Sequence, residues 1–579
     1  MFRMPRFCVV PKMVLFLILL ILLLPAVALA SGISDLWVTG VVENAVYEGA
    51  EDEALPMDAL RWWYSSKSKT YYLFLPSGAD VAHMRIWFKA TDESIQIGEK
   101  EVKNGDSAAF LVPGATTVQL GSKRYKLMVL QSKAVPAMFI STESKSLKRI
   151  HQSKKNQETG TLLMVQPDGG KEYSGDLDQI KGRGSSSFSY PKKSYQIKLT
   201  KSTGLCGMEK SRTWLLLGNY KDNSLLRNKI AFVMAEAVGL AYTSCAQAVD
   251  LYVNNDYLGA YLLCEKVEIK DSRIDVYDLE EATEALNEKP LEEYPAYGTD
   301  KQFGGRSKGF QIPNNPVDIT GGYLLELEKP HRYVNEVSGF KTKKGLPVVI
   351  KEPEYASREQ AEYAKTLIQS FENAIFSDDG IDPVTGKAYY ELADMDSLVK
   401  KYVMEEVVKN FDANRTSFYL YKPEDATSTR FFAGPVWDYD IAFGNFAKKK
   451  SNALAIPTGF YANSDRAMPY YWLPQLYSKP DFYAKAMTTY HEAFVPTIKA
   501  LLGIEKDTTG KVLSIDEYAK EVEASAAMNF SRWQVFNTSE RHVKTGEDYP
   551  ENIAYLKDFL QKRMDFLNEN WVLDESKNP

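Results

Sequence analysis

Asp412, Asp438 and Asp440 are the residues of this chain whose types and spacing best suit chemistry. They lie in NFDANRTSFYLYKPEDATSTRFFAGPVWDYDIAFGN, Asn410 to Asn445, where Phe418 to Lys422 and Thr429 to Ala433 read as aromatic-rich strands joined by the polar turn Pro423 to Ser428. A hairpin brings its two ends together, so Asp412 on the entering loop and Asp438 or Asp440 on the leaving one are expected close in space. Converging carboxylates repel, and a bound cation or a proton relieves the repulsion. With oxygen donors alone and no His or Cys beside them, the expected ion is hard, Mg²⁺ or Mn²⁺ rather than zinc. Ser417, five residues after Asp412, is a further candidate oxygen ligand.

A helix, Leu398 to Lys409, leads into this stretch, with apolar and charged residues at helical spacing. Far upstream, IKGRGSSSFSYPKKSYQIKL spans Ile180 to Leu199. Gly182 and Gly184 with Ser185, Ser186 and Ser187 make a loop rich in backbone donors, suited to phosphate oxygens. The strand after it alternates, placing Ser194, Gln196 and Lys198 on one face and Tyr195, Ile197 and Leu199 on the other. Lys198 is therefore a candidate nucleotide lysine, with Lys192 and Lys193 as substitutes. Asp222 to Leu240 reads as a helix stopped by Gly239, and Glu236 on it is the candidate partner of Lys198.

The rest of the chain supports these parts. Its 579 residues, 44% apolar and 25% charged, are ordinary globular material of roughly two to four domains. Arg3, Arg6 and Lys12 precede the apolar run Met13 to Leu24, and Ala28-Leu29-Ala30 offers small residues for cleavage, so residues 1–30 are expected to be a signal peptide. That run is shorter than the roughly 20 residues needed to span a bilayer, and no later stretch is apolar enough to cross one. A secreted or extracytoplasmic chain is expected, with attachment at the cell surface as one possibility. Cleavage takes the net charge from −6 to −9, which argues against nucleic acid and anionic membrane as partners. Cys206, Cys245 and Cys264 remain, without metal-site spacing, and read most simply as core residues.

From residue 31 to about 133, short alternating runs such as TYYLFL (Thr70 to Leu75), RIWF (Arg85 to Phe88), SAAFLV (Ser107 to Val112) and YKLMVL (Tyr125 to Leu130) suggest a small all-β sandwich. A second domain is expected over residues 134–579. Its last part, from about residue 470, is mainly helical, through Phe482 to Leu502, Ile515 to Trp533 and Glu551 to Trp571. The overall class is α+β.

Taken in order, the Gly/Ser loop, strand lysine, helix glutamate, catalytic-type aspartate, hairpin and acidic loop follow the layout of a protein kinase, although no HRD or DFG is present. Residues 134 to about 575 resemble the spore coat protein H (CotH) kinase family through KGRGSSSFSYPKKSYQIKL, LLRNKIA, VDLYVNNDYLGAYLLCEKVEI, GGYLLELEK, KNFDANRTSFYLYK and GPVWDYDIAFGN. The resemblance implies an atypical protein-kinase-like fold with a helical C-terminal extension, and transfer of the γ-phosphoryl group of ATP to serine residues of surface or coat proteins. It implies Asp412 as the catalytic aspartate, Asp438 with Asp440 as metal ligands, and Lys198 as the nucleotide lysine. Many members carry Asn where this chain has Ser185 and Ser417.

Other chemistries find little support. The five histidines, His83, His151, His331, His491 and His542, lack HExxH spacing, and no GxSxG elbow is present. The alternative of a different class is a catalytically inactive surface-binding scaffold on the same fold. Against it stands the retention of Lys198 with three converging carboxylates.

Overall fold

The computed structural model describes residues 33–43, 47–49, 54–90, 93–297, 309–446, 454–464, 470–536 and 545–572. The expected signal peptide lies outside them. Among the described residues no helix is long and apolar enough to cross a membrane. The chain is mixed α+β and divides into two compact units, one of Met1–Ser141, Leu163–Lys171 and Leu251–Leu258, the other of Thr142–Leu162, Glu172–Asp250 and Gly259–Pro579.

The first unit carries two sheets. Leu60–Arg61, Ile33–Thr39 and Arg85–Ala90 form one, paired antiparallel. The other has six strands, and within it Thr70–Leu75 runs parallel to Lys123–Gln131. Alternation buries Leu73, Leu75, Leu127 and Val129. Ser107 to Val112, expected as a strand, is instead a turn closed by Leu111 N donating to Ala108 O at 2.8 Å. Its buried residues, Ala108 and Leu111, are three apart, a turn's spacing rather than a strand's.

The second unit begins with strands that belong to a closed barrel: β1 (Lys171–Arg183), β2 (Ser194–Thr203), β3 (Ser211–Leu217) and, after helix α1 (Arg227–Ala237), β4 (Asp256–Glu265). β1 pairs with β2, β2 with β3 and β3 with β4, all antiparallel. Asp222 organises the approach to α1. Its carboxylate accepts from Arg227 N at 2.8 Å and pairs with the Arg227 guanidinium at 2.5 Å, both side chains fully buried.

A five-stranded sheet follows, in the order β6 (Ser338–Lys341), β7 (Pro347–Glu352), β5 (Tyr323–Leu327), β8 (Phe418–Lys422), β9 (Phe432–Ala433). Helices α2 (Arg358–Ile375) and α3 (Met395–Val407) lie between its strands in sequence. Ser357 and Gln360 close a capping box at α2 and Asp394 caps α3. α3 is buried nearly all round, including Lys401, Glu405 and Glu406. The C-terminal part contributes α4 (Ile515–Arg532) and α5 (Tyr549–Asn570). Arg563 of α5 and Glu406 of α3 form an ion pair at 2.5 Å with no exposure on either side chain.

Cys206, Cys245 and Cys264, the cysteines among the described residues, are free thiols. Of these three only Cys264 is a core residue; Cys206 is half-buried and Cys245 exposed, because Cys245 precedes its strand rather than lying within it.

Candidate active site

Two glycines shape the Gly/Ser loop at the end of β1. A side chain at Gly182 would collide with the Phe188 ring, and Gly184 holds φ +92 with Ser187 where its Cβ would stand. Lys193 fastens the loop's exit, Nζ donating to the carbonyls of Phe188 at 2.6 Å and Tyr190 at 3.3 Å. Arg183, between the glycines, sets its guanidinium 5.6 Å from the Trp437 ring centre. The loop thus forms one wall of a cavity of about 550 Å³.

The opposite wall is built from β5, the loop before β8 and the loop after β9. Leu-Glu-Leu-Glu alternation places Glu326 and Glu328 on one face of β5, where Glu326 sits across from Tyr419 of β8. Glu326 Oε1 accepts from Ser417 N at 3.0 Å, and the Thr416 hydroxyl donates to Glu328. Ser417 Oγ in turn donates to Asp438 Oδ2 at 3.4 Å. Asp412, 4% exposed, carries Lys329 Nζ 2.6 Å from its Oδ1. The loops before β8 and after β9 hold five non-glycine residues in the left-handed region, Lys409 (φ 47), Asn414 (φ 61), Ser417 (φ 54), Asp438 (φ 70) and Phe443 (φ 50). Such backbone persists only where its surroundings over-determine it, and it clusters at functional sites.

The acidic loop is held from two sides. Tyr439, buried between Asp438 and Asp440, donates its backbone N–H to Asn228 Oδ1 of α1 at 2.7 Å. Its hydroxyl donates to Glu405 Oε1 of α3 at 2.7 Å, and Lys401 Nζ lies 2.6 Å from the same oxygen. Asp440 closes the turn, its backbone carbonyl accepting from Asn445 Nδ2 at 2.6 Å.

Burial raises the carboxyl of Asp412 to about 6; the nearby Asp438 charge adds to this and Lys329 opposes it. Burial likewise raises Glu326 to about 7, opposed by Lys351 and reinforced by Glu328. Lys351 itself is raised: burial works against its charge, but Glu326 and Glu336 outweigh that.

Of the residues expected from sequence, Gly184, Ser185, Ser186, Asp412, Ser417, Asp438 and Asp440 line this cavity together. Lys198 and Glu236 do not, and no ion pair joins them among the described residues. Lys198 is half-buried on β2 between Gln179 and Thr213, on the strand face it shares with Arg183 through the Arg183–Ser194 pair, but farther along the strand and outside the cavity lining. Glu236 is exposed near the end of α1, where its charge acts on Lys229, Cys245 and Glu265. Lys192, the suggested substitute, is buried elsewhere, donating to Asn529 Oδ1 of α4 at 2.7 Å and to the Ala260 carbonyl. The cavity's cations are Lys154, Arg183, Lys221, Lys329, Arg332 and Lys351. Glu326, Glu328 and Lys329 were legible as the alternating ELEK at the end of GGYLLELEK. Arg332 and Lys351 carried no such signal.

The donor set fits a hard divalent ion. Asp438, Asp440 and Ser417 offer only oxygen, and among the described residues no three His, Cys, Asp or Glu side chains stand close enough to hold a metal by themselves. Mg²⁺ commonly takes one or two carboxylates and completes its octahedron with water and substrate phosphates.

A family model described as CotH kinase protein matches residues 180–567, two-thirds of the chain and all of the cavity's lining except Lys154. No curated protein matches the chain.

Proposed function

Because this chain belongs to the CotH kinase family, we propose that it is an atypical protein kinase that moves the γ-phosphoryl group of ATP to serine hydroxyls of surface or coat proteins. The observation that carries the reading is the meeting of Asp412, Asp438 and the Gly/Ser loop in one cavity that also gathers six cations. A glycoside hydrolase or a passive binding surface has no need of that combination.

In this mechanism Asp412 accepts a hydrogen bond from the serine hydroxyl and aligns its oxygen with the phosphorus. The loop amides around Gly184, Ser185 and Ser186 receive phosphate oxygens. Arg183 and Lys351 serve the nucleotide from opposite walls, in the place expected of Lys198. Asp438, with Asp440 and Ser417, would hold the divalent ion, which when bound neutralises charge on the β- and γ-phosphates. The kinase-like fold is part of the proposal, with the barrel strands as the nucleotide-side lobe and α4 and α5 as a helical extension. Secretion rests on residues 1–30, and the partners on the serine preference that the resemblance implies.

The test is a thermal shift of residues 31–579 with ATP and Mg²⁺ or Mn²⁺, beside Asp438→Ala. A metal-dependent rise in melting temperature that the variant lacks supports the reading. No rise at millimolar nucleotide with either metal would overturn it in favour of an inactive scaffold.

A further inference from the structure

Among the described residues Lys329 is the one cation paired directly with Asp412. It lies two residues beyond the end of β5, and its position is fixed on two sides. Its backbone N–H donates to Glu328 Oε1 at 2.7 Å, and its ammonium lies 5.2 Å from the Phe411 ring centre. The side chain is 18% exposed against 5% for Asp412, so the lysine stands between the buried carboxylate and the open cavity that both line. An ammonium has three N–H donors in different directions. Asp412 Oδ1 takes one.

The loop of Asp412 supplies no competing cation. Asn414, two residues on, turns away, with Nδ2 donating to Ala462 O at 3.1 Å and Oδ1 accepting from Leu473 N at 3.0 Å. Arg415 lies over Phe411, 4.9 Å from the ring centre, and is absent from the cavity wall. An incoming phosphoryl group therefore meets Lys329 as the cation nearest the acid.

From this geometry we infer that Lys329 is a catalytic residue that binds the transferred phosphoryl group while holding Asp412 in place, so that one ammonium bridges the two anions of the reaction. The inference rests on the kinase reading. In the transfer, the serine oxygen forms a bond to the γ-phosphorus as the bond from phosphorus to the β,γ-bridging oxygen breaks. The bridging electron pair leaves with ADP, and the serine proton passes to Asp412. Lys329 keeps its proton throughout. Its charge offsets the repulsion between the phosphoryl oxygens and the carboxylate, which is strongest where water is excluded.

Calorimetric titration with ATP and with ADP, each with Mg²⁺, tests this on the wild type, Lys329→Met and Lys329→Arg. A lysine on the γ-phosphoryl predicts that Lys329→Met weakens ATP binding by ~10-fold, the size of one charge-assisted hydrogen bond, while ADP binding stays within about twofold. Lys329→Arg keeps the charge and restores most of the ATP preference. In phosphoryl transfer, the acidic limb of the pH profile moves to higher pH in Lys329→Met, because Asp412 loses the charge that favours its ionised form. Melting temperatures serve as a folding control. An unchanged ATP-to-ADP ratio in a folded Lys329→Met overturns the inference and leaves the kinase reading standing. Failure of the wild type to bind ATP at all removes the kinase reading itself.

Discussion

Arg332 donates through Nη2 to Ser186 Oγ at 3.3 Å, tying the segment after β5 to the Gly/Ser loop across the cavity. Its Nη1 reaches Thr416 Oγ1 at 3.4 Å on the loop of Asp412, so a single guanidinium spans both walls. Arg332→Ala is expected to loosen the Gly/Ser loop and weaken nucleotide binding by ~3- to 10-fold, the effect of losing one or two modest hydrogen bonds. Hydrogen exchange at residues 184–187 should rise in the same variant. Unchanged exchange and affinity would show the bridge to be incidental.

Asp412 sets a pH dependence of known sign. In the proposed mechanism it accepts the serine proton and must be ionised, so transfer should fall as pH drops through about 6. For stability the sign is opposite. Its folded value lies above the ordinary 3.8, so the ionised carboxylate costs stability above pH 6, and the cost fades as pH falls from about 6 toward 4. Asp412→Asn should therefore be inactive yet stabilised at pH 8 by on the order of 1–3 kcal/mol, a gain that vanishes near pH 4. Urea unfolding at both pH values checks it; an equal gain at both would contradict the assignment.

Ser417 tests the metal side. At φ 54 its backbone tolerates Asn, which visits the left-handed region readily, but not a β-branched residue. Ser417→Asn should fold normally and lower the Mg²⁺ concentration needed for half-maximal ATP-induced stabilisation, since an amide oxygen is the better ligand. Ser417→Val should melt lower by a few degrees, from a strain of roughly 1–3 kcal/mol. An unchanged Mg²⁺ requirement in Ser417→Asn would place the ion away from this residue.

The Arg563–Glu406 pair governs how the C-terminal helix holds α3. Beyond the pair itself, Arg563 donates to the Glu406 backbone carbonyl and to the carbonyls of Pro457 and Gly459, while Glu406 accepts from Tyr461 N and Ala462 N. Arg563→Met leaves a buried carboxylate unpaired and should destabilise by roughly 3–5 kcal/mol. Adding Glu406→Gln should recover part of that loss, because the stranded charge is gone. A loss below about 1 kcal/mol in the single variant would mean that water reaches the pair.

Local spacing alone determined a good deal of this protein. Asp412, Asp438 and Asp440 could be read together because a hairpin must return its ends to one place, and Gly182 and Gly184 because a tight loop excludes side chains. The helices after residue 470 were legible from their periodicity. What local pattern could not decide was which part of an element reaches the cavity. Alternation puts Lys198 on the face of β2 that Arg183 shares, but does not say how far along the strand the cavity extends, and Glu236 looks like any other glutamate near a helix end. Lys401, Glu405 and Glu406 read as surface charges of an amphipathic helix, yet they are buried because Tyr439 and Arg563 arrive from 34 and 157 residues away to satisfy them. The cations of the cavity wall and the one on Asp412 belong to the same class. Lys329, Arg332 and Lys351 matter only through what the packing of β5 and β7 sets beside them, and a charge's partner in space is fixed by tertiary contact rather than by its neighbours in the chain.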